Sequence, residues 1–351
     1  MEVRGMLADA LDFVLGVDTH RDAHALAVVA APAGTVELET TIAASGLGYR
    51  AALRLALRQA PGRRVWAIEG TGSWGAGLCR FLQAEGERVL EVDRPRRLGR
   101  SSAKSDPLDA IRAARTALAG ERLPEPRSAG KREELRALVT AREGALRAKR
   151  AGLCQLRALI VTAPEPLRTE LRGLSRARLL ARLRALRPDR DRRRPRGLLL
   201  ALKSVASRVS ELTREERELA SEIRALVAEL VPNLLDQPGI GPASAAQILL
   251  AWSHPGRLHS EAAFARLAGA APIPASSGQT IRYRLDRGGD RQLNRALHTI
   301  ILSRRKTDPE TNAYIDRRTS EGKTVREAIR CLKRYLARSL YRMLEGAPMA
   351  A

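Results

Sequence analysis

The order of strand-like and helix-like segments in the first third of the chain restricts its fold more than any other feature. Three short β-rich segments at 13–19, 25–31 and 34–41 are separated by turn signals, which predicts a three-stranded meander. The segments that follow alternate between helix and strand: a helix at 46–60, a strand at 65–68, a helix near 74–85, a strand at 88–92 and a helix that opens at Pro107.

Three strands followed by alternating helices and strands are typical of an α/β domain of the ribonuclease H-like kind, which we expect over residues 1–125. Residues 126–232 contain long leucine-bearing stretches rich in Arg and Glu, which predicts helical hairpins or a coiled coil. Within them, the charged and proline-interrupted stretch from Arg168 to Gly197 predicts a basic loop over a nucleic-acid surface or, equally, a solvated linker. Residues 233–351 are expected to form a mainly helical domain.

Positive charge dominates the composition. The chain has 62 Lys and Arg residues against 39 Asp and Glu, a formal net charge of +23. Such an excess attracts polyanions, so nucleic acid is the first partner to consider. Aromatic residues make up only 3% of the chain, and contacts between arginine and backbone phosphates should therefore outweigh base stacking.

Signals for export and membrane insertion are missing from the sequence. No apolar run approaches the roughly 18 residues that a membrane span needs, and residues 1–12 carry acids instead of the basic start of a signal peptide. The three cysteines have no spacing typical of a zinc site or a disulfide framework. We therefore expect a cytoplasmic protein with reduced cysteines and no membrane partner.

Acidic residues follow two predicted strands and open one predicted helix. Asp18 ends the first strand in GVDTH, and Glu69 follows VWAI just before a Gly-Thr-Gly turn that lets a ligand approach. In KSDPLDA, Pro107 suits the first turn of a helix, so Asp106 is predicted to be the N-cap and Asp109 to lie on the same face. The alternative is that Asp106 only caps this helix and Asp109 only complements its dipole.

Together the four carboxylates can hold two Mg²⁺ ions about 4 Å apart, an arrangement that stabilises the attacking and leaving oxygens of phosphoryl transfer. His20 and His24 are close in sequence, but Mg²⁺ prefers oxygen ligands. Both histidines are therefore expected to be structural or to contact phosphate.

A Pro-Gly-Ile-Gly-Pro turn lies between helical segments in LLDQPGIGPASAAQIL, at residues 234–249. It resembles a helix-hairpin-helix element, in which Gly239 and Gly241 would let backbone N–H groups reach a DNA phosphate. A plain turn between two helices is the alternative.

Seven motifs run in order along nearly the whole chain: GVDTH, IEGTGSWG, KSDPLDA, PGIGPASA, LAGAAPIPASSGQT, RGGDRQLNRALHTI and REAIRCLKRYLAR. In this order they resemble the insertion-sequence-110 family of DEDD transposases. The resemblance implies a RuvC-like catalytic domain, a coiled-coil region and a C-terminal transposase domain with a serine nucleophile. It also implies a bridge RNA that pairs with donor and target DNA, and a homo-oligomer, dimer or tetramer, with composite active sites.

The resemblance places the nucleophile in PIPASSGQT. The family's motif has a serine directly before glycine, which indicates Ser277, and Gly278 would let a phosphate approach. The prolines and the glycine predict an irregular loop that exposes a hydroxyl, an argument that applies equally to Ser276, and two ordinary loop serines are the alternative. We expect the serine to be activated by metal ions and to hold a DNA strand as phosphoserine. One or more of three arginines should neutralise the phosphate: Arg282, Arg284 and Arg287.

The leading hypothesis is a transposase that cuts and rejoins DNA through the acidic cluster and the phosphoserine, guided by a structured RNA. A RuvC-like, junction-resolving endonuclease would need the acids and the hairpin element but no serine. A non-catalytic DNA-binding protein would have kept only the fold. DNA covalently attached to the protein would separate the first hypothesis from the other two.

Overall fold

The computed structural model describes residues 7–92, 106–120, 125–126, 130–190, 194–275, 283–284, 286 and 288–346, with Asp106 described by its backbone alone. The chain divides into two compact units, Met1–Ala129 and Gly130–Ala351. The predicted boundary at residue 232 falls inside the second unit. Since this division does not test that boundary, the three-domain organisation stays a prediction.

A five-stranded sheet forms the centre of the first unit. Its strands are β1 (Phe13–Thr19), β2 (Ala23–Ala30), β3 (Thr35–Ala43), β4 (Arg64–Glu69) and β5 (Val89–Val92). Their order across the sheet is β3-β2-β1-β4-β5; the first three pair antiparallel, whereas β1–β4 and β4–β5 are parallel. The helices of this unit are α1 (Leu7–Ala10), α2 (Gly46–Gln59), α3 (Ala76–Ala84) and α4 (Asp106–Leu118). The predicted α/β order is confirmed, and α4 begins one residue before its predicted start.

Both faces of the sheet are covered, because its central strands are apolar on both sides. Leu15 and Trp66 belong to the core that packs against α2 and α3. Val14 and Ala67 belong to the core on the opposite face, which packs against α4. Helix α4 packs tightly against the sheet at Gly16, where a Cβ atom would lie 2.0 Å from the carbonyl oxygen of a residue in α4.

Replacing Gly16 with alanine is expected to destabilise the first unit by about 3 kcal/mol, at the upper end of what overpacking costs. The added Cβ would lie 2.0 Å from the carbonyl oxygen of Ala110 and 2.8 Å from the amide nitrogen of Ala114, and neither backbone atom can rotate away. Denaturant unfolding measures the loss. Gly72→Ala is the matched control because its Cβ would meet nothing within 4 Å, and equal stability of the two variants would contradict the prediction.

The described part of the second unit is helical apart from one two-stranded ribbon. Its elements are α5 (Lys131–Val161), α6 (Glu165–Leu171), α7 (Arg176–Arg184), α8 (Arg196–Leu230), a 3₁₀ turn (Pro232–Leu234), α9 (Pro242–Trp252), α10 (Glu261–Leu267), β6 (Ile273–Pro274), β7 (Tyr283–Arg284), α11 (Arg291–Thr307), α12 (Pro309–Ser320) and α13 (Val325–Gly346). Helices α5 and α8 form an antiparallel hairpin, since Lys131 pairs with Glu229 and Gln155 with Arg208. The coiled coil itself stays a prediction.

The predicted basic loop between Arg168 and Gly197 is partly wrong. This stretch contains the end of α6 and all of α7, and its apolar side chains are buried against the start of α8. Glu170 accepts hydrogen bonds from Arg182 and Arg194, which offsets part of the positive charge. A small core was not predicted here because arginines outnumber the apolar residues. Three buried leucines among the arginines contribute to it: Leu171, Leu183 and Leu186.

A larger core joins α9, α10, α11 and α13, with Trp252 and Phe264 fully buried in it. The indole of Trp252 donates a hydrogen bond to Glu345 near the end of α13, so the C-terminal helix is held on this core. Among the residues that the structure describes, no helix is long and apolar enough to cross a membrane.

Candidate active site

Asp18 and Glu69 lie at the carboxyl ends of neighbouring parallel strands, as their positions in the sequence predicted. The register of β1 and β4 pairs Val17 with Ile68, directly before the two acids. The hydroxyl of Thr19 donates a hydrogen bond of 2.9 Å to the carbonyl of Glu69 and ties the two strand ends together. Asp18 is 5% exposed and Glu69 is 8% exposed, so both carboxyl groups are largely shielded from water.

Both acids lie on the face of the sheet that α4 covers. Side chains alternate between the two faces of a strand, so Asp18 shares its face with Gly16, and Glu69 shares its face with Ala67. Gly16 packs directly against α4, and Ala67 belongs to the core that α4 covers.

The direction of α4 brings its amino end to the same edge of the sheet. Near the carboxyl end of α4, Arg115 donates a hydrogen bond to the carbonyl of Gly34 in the turn between β2 and β3. That turn lies at the amino end of β1, because Phe13 pairs with Ala30 in the antiparallel ladder. Helix α4 therefore runs antiparallel to β1, and its first turn points towards the carboxyl ends of β1 and β4.

The first turn of α4 carries the other two predicted metal ligands. Asp109 is partly buried and accepts a hydrogen bond of 2.7 Å from Arg112, whereas the side chain of Asp106 lies outside the described residues. Among the side chains that the structure describes, no three His, Cys, Asp or Glu residues are close enough together to hold a metal ion. The convergence of all four carboxylates therefore stays a prediction.

The residues present nevertheless fit a divalent cation in their chemistry. Carboxylate oxygens are the donors that Mg²⁺ prefers, and burial makes their charge costly unless it is compensated. Two residues beyond Glu69, the hydroxyl of Thr71 is buried and has no hydrogen-bond partner among the described residues. A buried polar atom of this kind is typical of a place where a ligand or water is missing.

The two nearby histidines have different surroundings. The ring of His20 is about half exposed, and its Nε2 atom is 3.2 Å from Oδ2 of Asp18. His24 is fully buried, its ring is stacked on Tyr49, and burial lowers the pKa of its imidazole. His24 therefore has the packing of a structural residue, whereas His20 directly contacts a predicted metal ligand.

In the second unit, the predicted serine segment follows β6 and precedes β7. Four of the predicted residues lie outside the described part of the chain: Ser276, Ser277, Arg282 and Arg287. On either side of this segment, Ile273 pairs with Arg284 and Pro274 with Tyr283. The irregular loop predicted here thus has ends paired as a short antiparallel ribbon, in which Ile and Tyr have a strand preference. Arg284 is exposed and is available to a ligand.

A neck of close backbone contacts brings together the chain before β6 and the chain after β7. Gly269 has a φ of +60°, and a Cβ atom on Gly289 would lie 2.3 Å from its amide nitrogen. The amide of Asp290 donates a hydrogen bond of 2.6 Å to the carbonyl of Leu267. Glycine is favoured at 269 by the positive φ, and at 289 because a Cβ atom would force the two segments apart.

Asn294 and Lys333 support this neck, and neither was predicted from the sequence to have such a role. The side-chain amide of Asn294 donates to the carbonyl of Ala268 at 2.6 Å, and Nζ of Lys333 donates to Oδ1 of Asn294 at 2.7 Å. Lys333 is buried, which lowers its pKa, and Arg330 lowers it further. The helical periodicity of α13 could have indicated that Lys333 is buried, since Lys333 lies four residues after the buried Ile329 on the same face.

The Gly239–Gly241 turn packs against α11. Gly239 has a φ of +74°, and a Cβ atom there would lie 2.9 Å from the carbonyl oxygen of Ile300. Gly241 is exposed and precedes α9 as its N-cap, with Pro242 in the first turn. Packing accounts for the glycine at 239, and phosphate binding by the two glycines stays a prediction.

Two family models match the chain. One, described as "Transposase IS116/IS110/IS902 family", matches residues 231–316, which include the Gly239–Gly241 turn, the serine segment and α11. The other, a transposase model of the DEDD type in IS110 elements, matches residues 15–163. It covers the sheet from the third residue of β1 onwards, α4 and all of α5.

Two curated relatives are similar to parts of this chain. The "Insertion element IS110 uncharacterized 43.6 kDa protein" of Streptomyces coelicolor is 33% identical over 148 residues, which are 41% of this chain and 36% of that protein. The "Insertion element IS900 uncharacterized 42 kDa protein" of Mycobacterium paratuberculosis is 35% identical over 115 residues, which are 32% of this chain and 28% of that protein. The matched segments thus span about a third of each relative.

Proposed function

Because this chain belongs to the IS110 family of transposases, we propose that it is a DNA transposase that cuts and rejoins DNA. The observation that carries the proposal is the burial of Asp18 and Glu69 at the carboxyl ends of the neighbouring parallel strands β1 and β4, towards which the first turn of α4 points. We propose that acidic residues from three elements, β1, β4 and α4, converge at this edge of the sheet. A ribonuclease H-like, RuvC-type catalytic domain has this arrangement.

The match to a DEDD transposase domain suggests that the protein depends on a divalent metal. We propose Mg²⁺, with two ions held by four carboxylates: Asp18, Glu69, Asp106 and Asp109. Bound there, the ions would stabilise the attacking and leaving oxygens of phosphoryl transfer. Asp18 is oriented by its contact with His20, and the Thr19 hydroxyl fixes the backbone next to Glu69.

The second unit is proposed to supply the nucleophile, Ser277. Its hydroxyl oxygen would form a bond to a DNA phosphorus while the bond from that phosphorus to one sugar oxygen breaks and the sugar oxygen takes up a proton. The phosphoserine conserves the phosphodiester bond, so rejoining needs no external energy source. The exposed Arg284 is one of the groups that would neutralise the phosphate. Guidance by a bridge RNA and assembly into a homo-oligomer are proposed from the family resemblance alone.

A strand-joining assay tests the proposed function. The full chain, DNA carrying the element ends, target DNA and RNA transcribed from the flanking sequence are mixed with Mg²⁺. We expect joined DNA and a protein–DNA adduct that resists denaturation, and both should disappear when a chelator removes the metal. Metal-dependent hydrolysis without any adduct would instead support a junction endonuclease.

Nucleic-acid affinity is expected to fall by about a thousandfold between about 50 and 200 mM salt, because arginine contacts with six or so phosphates release condensed counterions. The net charge of +23 and the low aromatic content are the physical basis. Fluorescence anisotropy of labelled DNA and RNA across a salt series measures the slope. A flat response would contradict the electrostatic interpretation.

A further inference from the structure

A cleft of about 390 Å³ opens among α5, α8, α9 and α11 in the second unit. Four arginines line it: Arg142, Arg147, Arg150 and Arg295. The rest of its lining consists of the carboxylate of Glu143 and of uncharged polar and aliphatic side chains, and the described lining contains no aromatic ring. The cleft therefore offers charged donors but no surface on which a base could stack.

Carboxylates within reach neutralise only part of this positive charge. Arg295 pairs with Glu143 at 3.0 Å, and Arg142 pairs with Glu216 at 2.6 Å. Arg147 contacts only the backbone carbonyl of Glu143, and neither Arg147 nor Arg150 has a carboxylate partner among the described residues. Both are exposed at the cleft, so two guanidinium groups are left for an external anion.

The same contacts hold the cleft together as a preformed site. Glu143 of α5 accepts hydrogen bonds from Gln247 of α9 and Arg295 of α11, so one carboxylate joins three helices. Glu216 of α8 accepts from Arg142 and Lys149 of α5. Helix α5, which carries Arg147 and Arg150, is therefore held on α8, α9 and α11, so the backbone of the cleft need not rearrange when a ligand enters.

We propose that this cleft binds the phosphodiester backbone of a nucleic acid, with Arg147 and Arg150 contacting one or two consecutive phosphates. Guanidinium groups match phosphate oxygens in a bidentate geometry, and contacts to phosphates carry no direct information on base sequence. Ser244, in the first turn of α9, adds a hydroxyl donor at the edge of the cleft. The proposal rests on the proposed function only in requiring a nucleic-acid substrate.

The test compares two double variants of the full chain. Arg147→Gln with Arg150→Gln removes the two cleft charges, and Arg157→Gln with Arg224→Gln removes two exposed arginines of α5 and α8 that do not line the cleft. Binding of a labelled DNA duplex and of an RNA hairpin is measured over a salt series. We expect the cleft variant to bind about tenfold more weakly and its slope of log K against log salt to fall by about two, whereas the control changes less than about twofold.

The outcomes show whether the cleft binds the backbone of DNA, of RNA or of both. Weaker binding of the duplex alone assigns the cleft to DNA, weaker binding of the hairpin alone assigns it to RNA, and weaker binding of both supports a shared backbone site. If the cleft and control variants lose equal affinity, the loss reflects overall charge and the proposal is overturned. An unchanged slope of log K against log salt in the cleft variant would also overturn it.

Two further measurements isolate the cleft from folding and from catalysis. Arg147→Lys with Arg150→Lys keeps the charge but loses the bidentate geometry, so it should keep the salt slope and recover part of the affinity. Equal thermal midpoints of all variants exclude misfolding. Binding does not require strand cutting. Weaker binding by the cleft variant would therefore support the phosphate site even if no covalent adduct ever formed.

Discussion

Ser277→Ala is expected to abolish the covalent protein–DNA adduct, with a loss on the order of a thousandfold or more, because no other group can take the place of a missing nucleophile. The measurement is the amount of labelled DNA that stays on denatured protein. Ser276→Ala is the matched control, since it changes the same group one residue away and should leave the adduct at the level of the unmodified chain. DNA affinity should be unchanged in both variants.

The pair of variants also decides between the two serines. An adduct that survives Ser277→Ala and disappears in Ser276→Ala would move the nucleophile by one residue. An adduct that survives both changes would end the serine proposal. A loss in both, with DNA affinity intact, would point to the shape of the segment between β6 and β7 instead of to one hydroxyl.

Asp18→Asn and Glu69→Gln are each expected to lower DNA cutting and joining on the order of a thousandfold, because each removes a negative oxygen donor while keeping the size of the side chain. Both acids are buried, at neighbouring strand ends. Asp22→Asn is the control, since Asp22 follows β1 but is exposed and its carboxylate pairs with the neighbouring Arg21. It should leave activity unchanged.

Stability separates a metal-binding role from a structural one. Two buried carboxylates without a cation repel each other, so neutralising either one should leave the free energy of unfolding in chelator unchanged or higher. Denaturant unfolding with and without Mg²⁺ measures this, and the stabilisation by Mg²⁺ should disappear in both variants. Lower stability in chelator together with full activity would contradict a catalytic role.

The sequence predicted most of the first unit correctly because its strands carry a local signal. Short apolar runs between turn residues marked the strands to within two residues, as the observed β1, β2 and β4 show. The stretch around α7 failed for the opposite reason. There the arginines outnumber the leucines, and Leu183 is recognised as a core residue only once α8 is in place to bury it. Lys333 lies on the buried face of α13, but burial was not predicted for it because lysine side chains are usually exposed.

What the sequence by itself determined is the local position of the groups proposed to react: acids at strand ends, a serine before a glycine, and arginines in excess. Local patterns set these because the end of a strand or the start of a helix depends on a few neighbouring residues. Only the tertiary structure decided that β1 lies parallel to β4, that α4 returns antiparallel to β1, and that arginines of α5 and α11 line one cleft. These contacts join segments tens of residues apart, and they arise from long-range packing of apolar faces, which no local pattern of residues specifies.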